Sequence, residues 1–149
     1  MPEAPPPPTD HPYARRVLQA GPDLERMVAS WRPGGATPPH DHGESLGLVR
    51  IVAGRAVHRI WGVRDGVLRE LSRTEHGAGE VLVVRPGVLH GLADAGGLVT
   101  LHHYAGPIDE MWVLDPDRPY TARLRGGAGA WLPADAEDVL WSVDAWVSR

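Results

Sequence analysis

His40-Asp41-His42 places two imidazoles one residue apart. On an extended backbone that spacing sends both rings to one face, because side chains of a strand alternate. The pair is fed by a Gly/Pro-rich loop, Gly34-Gly35-Ala36-Thr37-Pro38-Pro39, and an apolar run follows from Leu46. Fifty residues past His40, the run Gly79-Glu80-Val81-Leu82-Val83-Val84-Arg85-Pro86-Gly87-Val88-Leu89-His90 reads as a strand, a Pro-Gly turn and a third histidine. Three neutral imidazoles suit Fe, Zn, Ni, Cu or Mn, and three protein ligands leave coordination positions open. A single histidine is more often a hydrogen-bonded core or surface residue, so the weight lies on His40, His42 and His90 as a set. His11 in the tail, His76 in a polar loop and His58 on a strand with nothing to pair it are assigned structural roles. Glu44 would share the ligand face of an unbroken strand, but Gly43 breaks it, so Glu44 is expected in solvent. A set without a carboxylate leaves a divalent metal its full charge, which favours an anionic donor such as a thiolate on the open positions.

Two further clusters could join this chemistry. Thr100, His102 and Tyr104 alternate within Thr100-Leu101-His102-His103-Tyr104, so on a strand they form one row of hydroxyl, imidazole and phenol. Such a row would fix the His102 tautomer and aim the Tyr104 hydroxyl; a polar strand face in water is the equal alternative. His103 faces the other way. In Tyr13-Ala14-Arg15, an arginine beside a metal pocket could clamp a carboxylate bidentately. A solvated arginine on an edge strand reads as well from these residues alone.

The elements that must position these groups are short strands. Tyr13–Leu18, Arg26–Trp31, Leu46–Val52, Ala56–Trp61, Val67–Leu71, Glu80–Val84, Leu98–Tyr104 and Met111–Leu114 are apolar or β-branched enough, and Gly21-Pro22-Asp23 and Arg64-Asp65-Gly66 mark turns. About eight strands with frequent turns predict an all-β sandwich or barrel. Val139, Leu140, Val143, Trp146 and Val147 recur at helical spacing after Asp135, which predicts one short C-terminal helix with Asp135 as its N-cap. Residues 1–12 are Pro-rich and expected to be disordered, leaving residues 13–149 as one domain.

Composition narrows the function classes. The 149 residues carry a net charge of −4, and no basic block is present, which argues against nucleic acid. No apolar run approaches the roughly 20 residues of a membrane span. The N-terminal residues lack the basic and apolar regions of a signal peptide. With no cysteine, there is no disulfide, zinc-thiolate site or Cys nucleophile, and a cytoplasmic setting is expected.

The His-x-His and Gly-x-x-His units together resemble the two-part metal site of a cupin. The likeness sharpens with the remaining motifs. His40-Asp41-His42-Gly43-Glu44-Ser45 with Gly47 resembles the first motif of bacterial cysteine dioxygenases and related thiol dioxygenases, and Gly87-x-x-His90 resembles their third ligand. Thr100-x-His102-x-Tyr104 resembles their Ser-x-His-x-Tyr row, Tyr13-x-Arg15 their Tyr-x-Arg, and Trp31 stands where they have a tryptophan. The resemblance spans residues 13–115. It implies a cupin-type β-barrel (a jelly-roll-like double-stranded β-helix) with Fe(II) held by His40, His42 and His90. It further implies Arg15 and Tyr13 at the substrate, and Tyr104, with His102 and Thr100 behind it, as a hydrogen-bond donor to oxygen or substrate. The expected reaction joins a small-molecule thiol, with L-cysteine first, to O2 and gives a sulfinic acid. A dioxygenase for 3-mercaptopropionate or another mercapto acid, or a non-enzymatic metal-dependent sensor, are the alternatives. A monomer or weak homodimer is expected. Animal members carry, at the position of Gly47, a cysteine cross-linked to the tyrosine of the row; this chain cannot form that link.

Overall fold

Burial alternates along Leu46–Ala53: Gly47, Val49 and Ile51 are buried while Leu46, Leu48 and Arg50 face solvent. That is the signature of a strand with one face on a core. The computed structural model, which describes residues 2–149, is built of such strands, with no α-helix among the described residues. In chain order they are β1 (Tyr13–Ala20), β2 (Leu24–Trp31), β3 (Leu46–Ala53), β4 (Arg55–Arg64), β5 (Val67–Gly77), β6 (Val81–Val84), β7 (Leu89–Asp94), β8 (Val99–Ala105), β9 (Glu110–Leu114), β10 (Thr121–Arg125) and β11 (Val139–Val143). β4 and β5 meet at Asp65-Gly66, both with positive φ (54° and 73°), as a two-residue hairpin turn demands.

One antiparallel sheet has the order β1-β2-β8-β3-β6. The other consists of two three-stranded pieces, β5-β4-β7 and β11-β10-β9. Residues 36–41 stitch these pieces together: Ala36 bridges Ala93 of β7, and His40 bridges both His90 of β7 and Val113 of β9. His40 and His90 exchange both backbone hydrogen bonds at 2.9 Å, and Leu114 N–H donates to Pro39 O at 2.8 Å. Trp31, Val49, Ile51, Leu82 and Val84 of the first sheet pack with Ala56 and Leu92 of the second to form one core cluster. Met111, Val113, Ala122 and Leu124 form a second, and Tyr13 packs against both. This is the all-β architecture expected from the strand pattern, in the jelly-roll-like form that the resemblance implies.

The C-terminal helix is corrected. Ala136–Asp138 makes a single 3-10 turn, Asp135 makes no side-chain cap bond, and Val139–Val143 pairs as β11 with the edge of β10. A spacing of four residues fits a helix, but it is even and fits one face of a strand equally well. Val139 and Val143 are partly buried, whereas Leu140, which a helix packed on the spaced positions would cover, is 53 % exposed. At the other end, residues 2–12 contain no regular element, but Pro12 O accepts from Arg32 N–H at 2.9 Å and the His11 ring stacks on Trp131 at 4.0 Å.

Gly54 makes the β3–β4 corner at φ 76°, and a Cβ there would lie 2.2 Å from Gly96 O and 2.4 Å from the Gly97 carbonyl carbon. Gly54→Ala therefore meets both a left-handed backbone and a backbone clash. It should lose more than about 2 kcal/mol of stability, read as a lower midpoint in urea unfolding.

Candidate metal centre and pocket

His40 sits at the bridge between β7 and β9, and His42 follows two residues on with its ring on the same side. His90, the second residue of β7, lies directly opposite His40. One ring nitrogen from each of the three lies within 4.8 Å of the other two, and all three residues are buried. His90 Nε2 and His42 Nε2 are 3.4 Å apart, a separation one ion with bonds of about 2.0–2.1 Å can span. The His40 tautomer is fixed locally: Pro38 O can only accept, so His40 Nδ1 carries the proton at 2.8 Å and Nε2 keeps its lone pair. His42 Nδ1 is buried with no hydrogen-bond partner among the described residues, so that ring depends on what its other nitrogen faces. Burial lowers the pKa of His40 and lowers those of His42 and His90 well below the usual histidine value, with neighbouring imidazoles adding to the effect for the latter two. Neutral imidazoles with converging lone pairs are what a divalent metal takes as ligands. The residues present therefore fit a metal.

Asp41, between the two ligand candidates, is 1 % exposed. Its carboxylate accepts from Trp112 N–H at 3.0 Å, Gly43 N–H at 3.3 Å and Arg149 Nε at 2.8 Å. These bonds hold the His40–His42 segment against β9. Beyond Gly43 (φ 61°) the chain bends and Glu44 is exposed.

The row on β8 is assembled. Thr100 Oγ1 lies 2.7 Å from His102 Nε2, and His102 Nδ1 lies 2.9 Å from Tyr104 Oη. Trp31 Nε1–H donates to Thr100 Oγ1 at 3.0 Å. Thr100 is fully buried, and His102 is the one acceptor within reach of its hydroxyl proton among the described residues. The proton order is therefore Trp31 to Thr100, Thr100 to His102 Nε2, and His102 Nδ1–H to Tyr104. That order leaves the Tyr104 hydroxyl proton free to point at a ligand. Burial lowers the His102 pKa to about 3, with His40 and Arg15 contributing, and burial pushes the Tyr104 phenol up. A Cβ on Gly47 would lie 3.1 Å from Tyr104 Cε1, so the missing side chain makes room for the phenol ring. On the other face, His103 Nε2 accepts from Arg26.

One pocket is lined by the three histidines, His102, Tyr104, Tyr13 and Arg15. The Arg15 guanidinium is held by the carbonyls of Gly127 and Ala128, and no carboxylate pairs with it among the described residues. Tyr13 lends its ring to the wall, while its hydroxyl accepts from Ala130 N–H at 3.0 Å. Glu25, opposite Tyr104 in the β2–β8 register, and Arg125 line the same pocket and were not legible as site residues. Arg125 is paired to Asp138 at 2.6 Å, whereas Arg118 and Arg123 pair with Asp115 and Glu110 and are absent from the pocket lining. His58 corrects the sequence reading: it has a partner, His90, with Nε2 at 3.0 Å from His90 Nδ1.

One divalent metal should bind per chain, and His90→Ala should abolish stoichiometric binding in elemental analysis of dialysed protein. Unchanged metal content in that variant would remove His90 from the site. The intact mass should equal the sequence mass apart from terminal processing, because the chain has no cysteine to cross-link to Tyr104.

The fold has relatives among solved structures. An uncharacterized conserved protein with a double-stranded β-helix domain from Klebsiella pneumoniae superposes with a TM-score of 0.54 at 21 % identity, covering 66 % of this chain and 76 % of that one. KdgF from Halomonas sp. gives 0.54 at 16 % identity, covering 64 % and 79 %. An oxalate oxidase gives 0.52 at 20 % identity, covering 66 % of this chain and 53 % of its own length. These likenesses establish the cupin fold alone. The sequence match is narrower in meaning: residues 9–116, from the approach to β1 through β9, match the family described as cysteine dioxygenase type I. That interval contains all three histidines, the β8 row and Arg15, and on it the chain belongs to the cysteine dioxygenase type I family of the cupins.

Proposed function

We propose that this protein is an Fe(II)-dependent thiol dioxygenase that oxidises L-cysteine with O2 to its sulfinic acid, RSH + O2 giving RSO2H. The observation that carries the reading beyond the family is Arg15. Its guanidinium lines the same pocket as the three histidines, and its bonds to two backbone carbonyls orient it without neutralising it. A carboxylate is the partner such a fork fits best. When bound, Fe(II) would supply the redox chemistry with O2 that no side chain here can supply.

The chain's own residues do the rest. Arg15 holds the substrate carboxylate and sets the direction in which the thiol enters. Met27, Leu92, Ile108 and Met111 wall the pocket with apolar surface and limit water. The row behind Tyr104 fixes His102 as the Nδ1–H tautomer, so the phenol donates its proton into the pocket rather than back into the wall. Glu25 adds a carboxylate to the lining and favours a substrate that also carries an amine over a purely anionic one. Arg125 is the observation favouring the second reading, a dioxygenase for 3-mercaptopropionate, since it is another guanidinium at the same pocket; its ion pair with Asp138 makes it the weaker carboxylate holder beside Arg15.

Steady-state O2 uptake by iron-reconstituted protein with cysteine, 3-mercaptopropionate and cysteamine separates the readings. Cysteine should be preferred. Arg15→Gln should lower kcat/KM for cysteine about ten- to a hundredfold, as expected for a charged hydrogen bond worth about 1.5–3 kcal/mol. Cysteamine, which has no carboxylate, should be much less affected. Equal losses on both would make Arg15 a support of the fold, and a preference for 3-mercaptopropionate would select the second reading. Absence of O2 uptake with every thiol would leave a binding protein. Tyr104→Phe should lose turnover while keeping metal affinity; wild-type turnover in that variant would reduce the row to a structural role.

A further inference from the structure

On the second sheet, residues paired directly across strands share a face: Ile60 of β4 opposes His90 of β7, and His58 opposes Leu92. His58 is therefore the diagonal neighbour of His90 on that face, near enough for long side chains to meet. The two rings meet at 3.0 Å between His58 Nε2 and His90 Nδ1, with both residues buried.

The direction of that bond follows from the other end of the His90 ring. His90 Nε2 faces His42 in the gap between the three imidazoles, so a metal there needs the Nε2 lone pair. His90 must then carry its proton on Nδ1, and a buried N–H needs an acceptor. For His40 the acceptor is Pro38 O. For His90 it is His58 Nε2, which must be unprotonated, with the His58 proton on Nδ1.

We propose that His58 is a positioning residue of the metal centre: by accepting the Nδ1–H of His90 it holds that ring in the tautomer and orientation that present Nε2 to the metal. The proposal rests on the three-histidine centre but on no particular substrate or reaction. Partners of this kind change metal affinity by about ten- to a hundredfold when removed.

The test uses Co(II) as a spectroscopic probe, with affinity measured by chelator competition for wild type, His58→Phe and His58→Gln. Melting of the metal-free proteins monitors folding. His58→Phe keeps the bulk of the ring and should bind Co(II) about ten- to a hundredfold more weakly. His58→Gln, whose amide oxygen can accept from Nδ1–H, should recover most of that loss. Wild-type affinity in His58→Phe, or equal losses in both variants, would overturn the proposal. Nitrogen-15 NMR of the Zn(II)-loaded wild type reads the same point without a variant: the proton should sit on His58 Nδ1 and on His90 Nδ1, and a proton on His58 Nε2 would overturn the proposal. Failure of wild-type protein to bind Co(II) or Zn(II) would instead overturn the metal centre itself, and the proposal with it.

Discussion

The second sheet is continuous only because residues 36–41 pair on both sides, and His40 is the residue that pairs with both neighbours. Backbone N–H and C=O groups buried in a barrel wall must be paired, so this segment cannot shift without opening the sheet. The same requirement fixes where the imidazoles point. His40 and His90 face each other across a bridge with both hydrogen bonds at 2.9 Å, and their side chains must leave on one face. The candidate metal centre is thus a consequence of how the wall is closed, not an addition to it.

A closed wall carries an electrostatic cost. Three buried imidazoles direct lone pairs at one small volume, and hydrogen bonds account for the outer nitrogens of His40 and His90 but not for Nδ1 of His42. Burial keeps these rings neutral, which relieves the repulsion a charged cluster would bring. It leaves converging acceptors that a cation satisfies, so metal affinity and the stability of this part of the wall are coupled. The C-terminal segment adds to the same point: Trp146 Nε1 donates to Asp115 O, Val147 N–H donates to Thr121, and Arg149 reaches the buried carboxylate of Asp41. Removing the Arg149 charge would leave Asp41 with backbone donors alone.

The pocket in front of this wall owes its character to a different rule. β1, β2 and β8 lie side by side, and their inward residues come from alternate positions: Tyr13 and Arg15, Met27 and Trp31, Thr100, His102 and Tyr104. On this apolar floor the polar points are the Arg15 guanidinium, the Tyr104 phenol and the Asp138-paired Arg125, and the register places Glu25 beside the phenol.

How much of this was legible from the residues depends on the range over which each contact acts. His40, His42 and His90 were legible because the chemistry of three imidazoles is read from type and spacing, and the β8 row because alternation is a property of any strand. The all-β architecture followed from the same alternation. Val139 to Val143 misled because a spacing of four is common to a helix and to a strand face, and only the free edge of β10 chose between them. The signals left silent were nonlocal, as two residues show. His58 lies 32 residues from His90 and meets it along a sheet diagonal, so neither its neighbours in sequence nor its own type announces the partner. Glu25 enters the pocket only because the β2–β8 register sets it opposite Tyr104. Local chemistry and periodicity are written in the chain, whereas register and strand order, which decide the long-range pairs, are set by closing the whole barrel with its backbone satisfied.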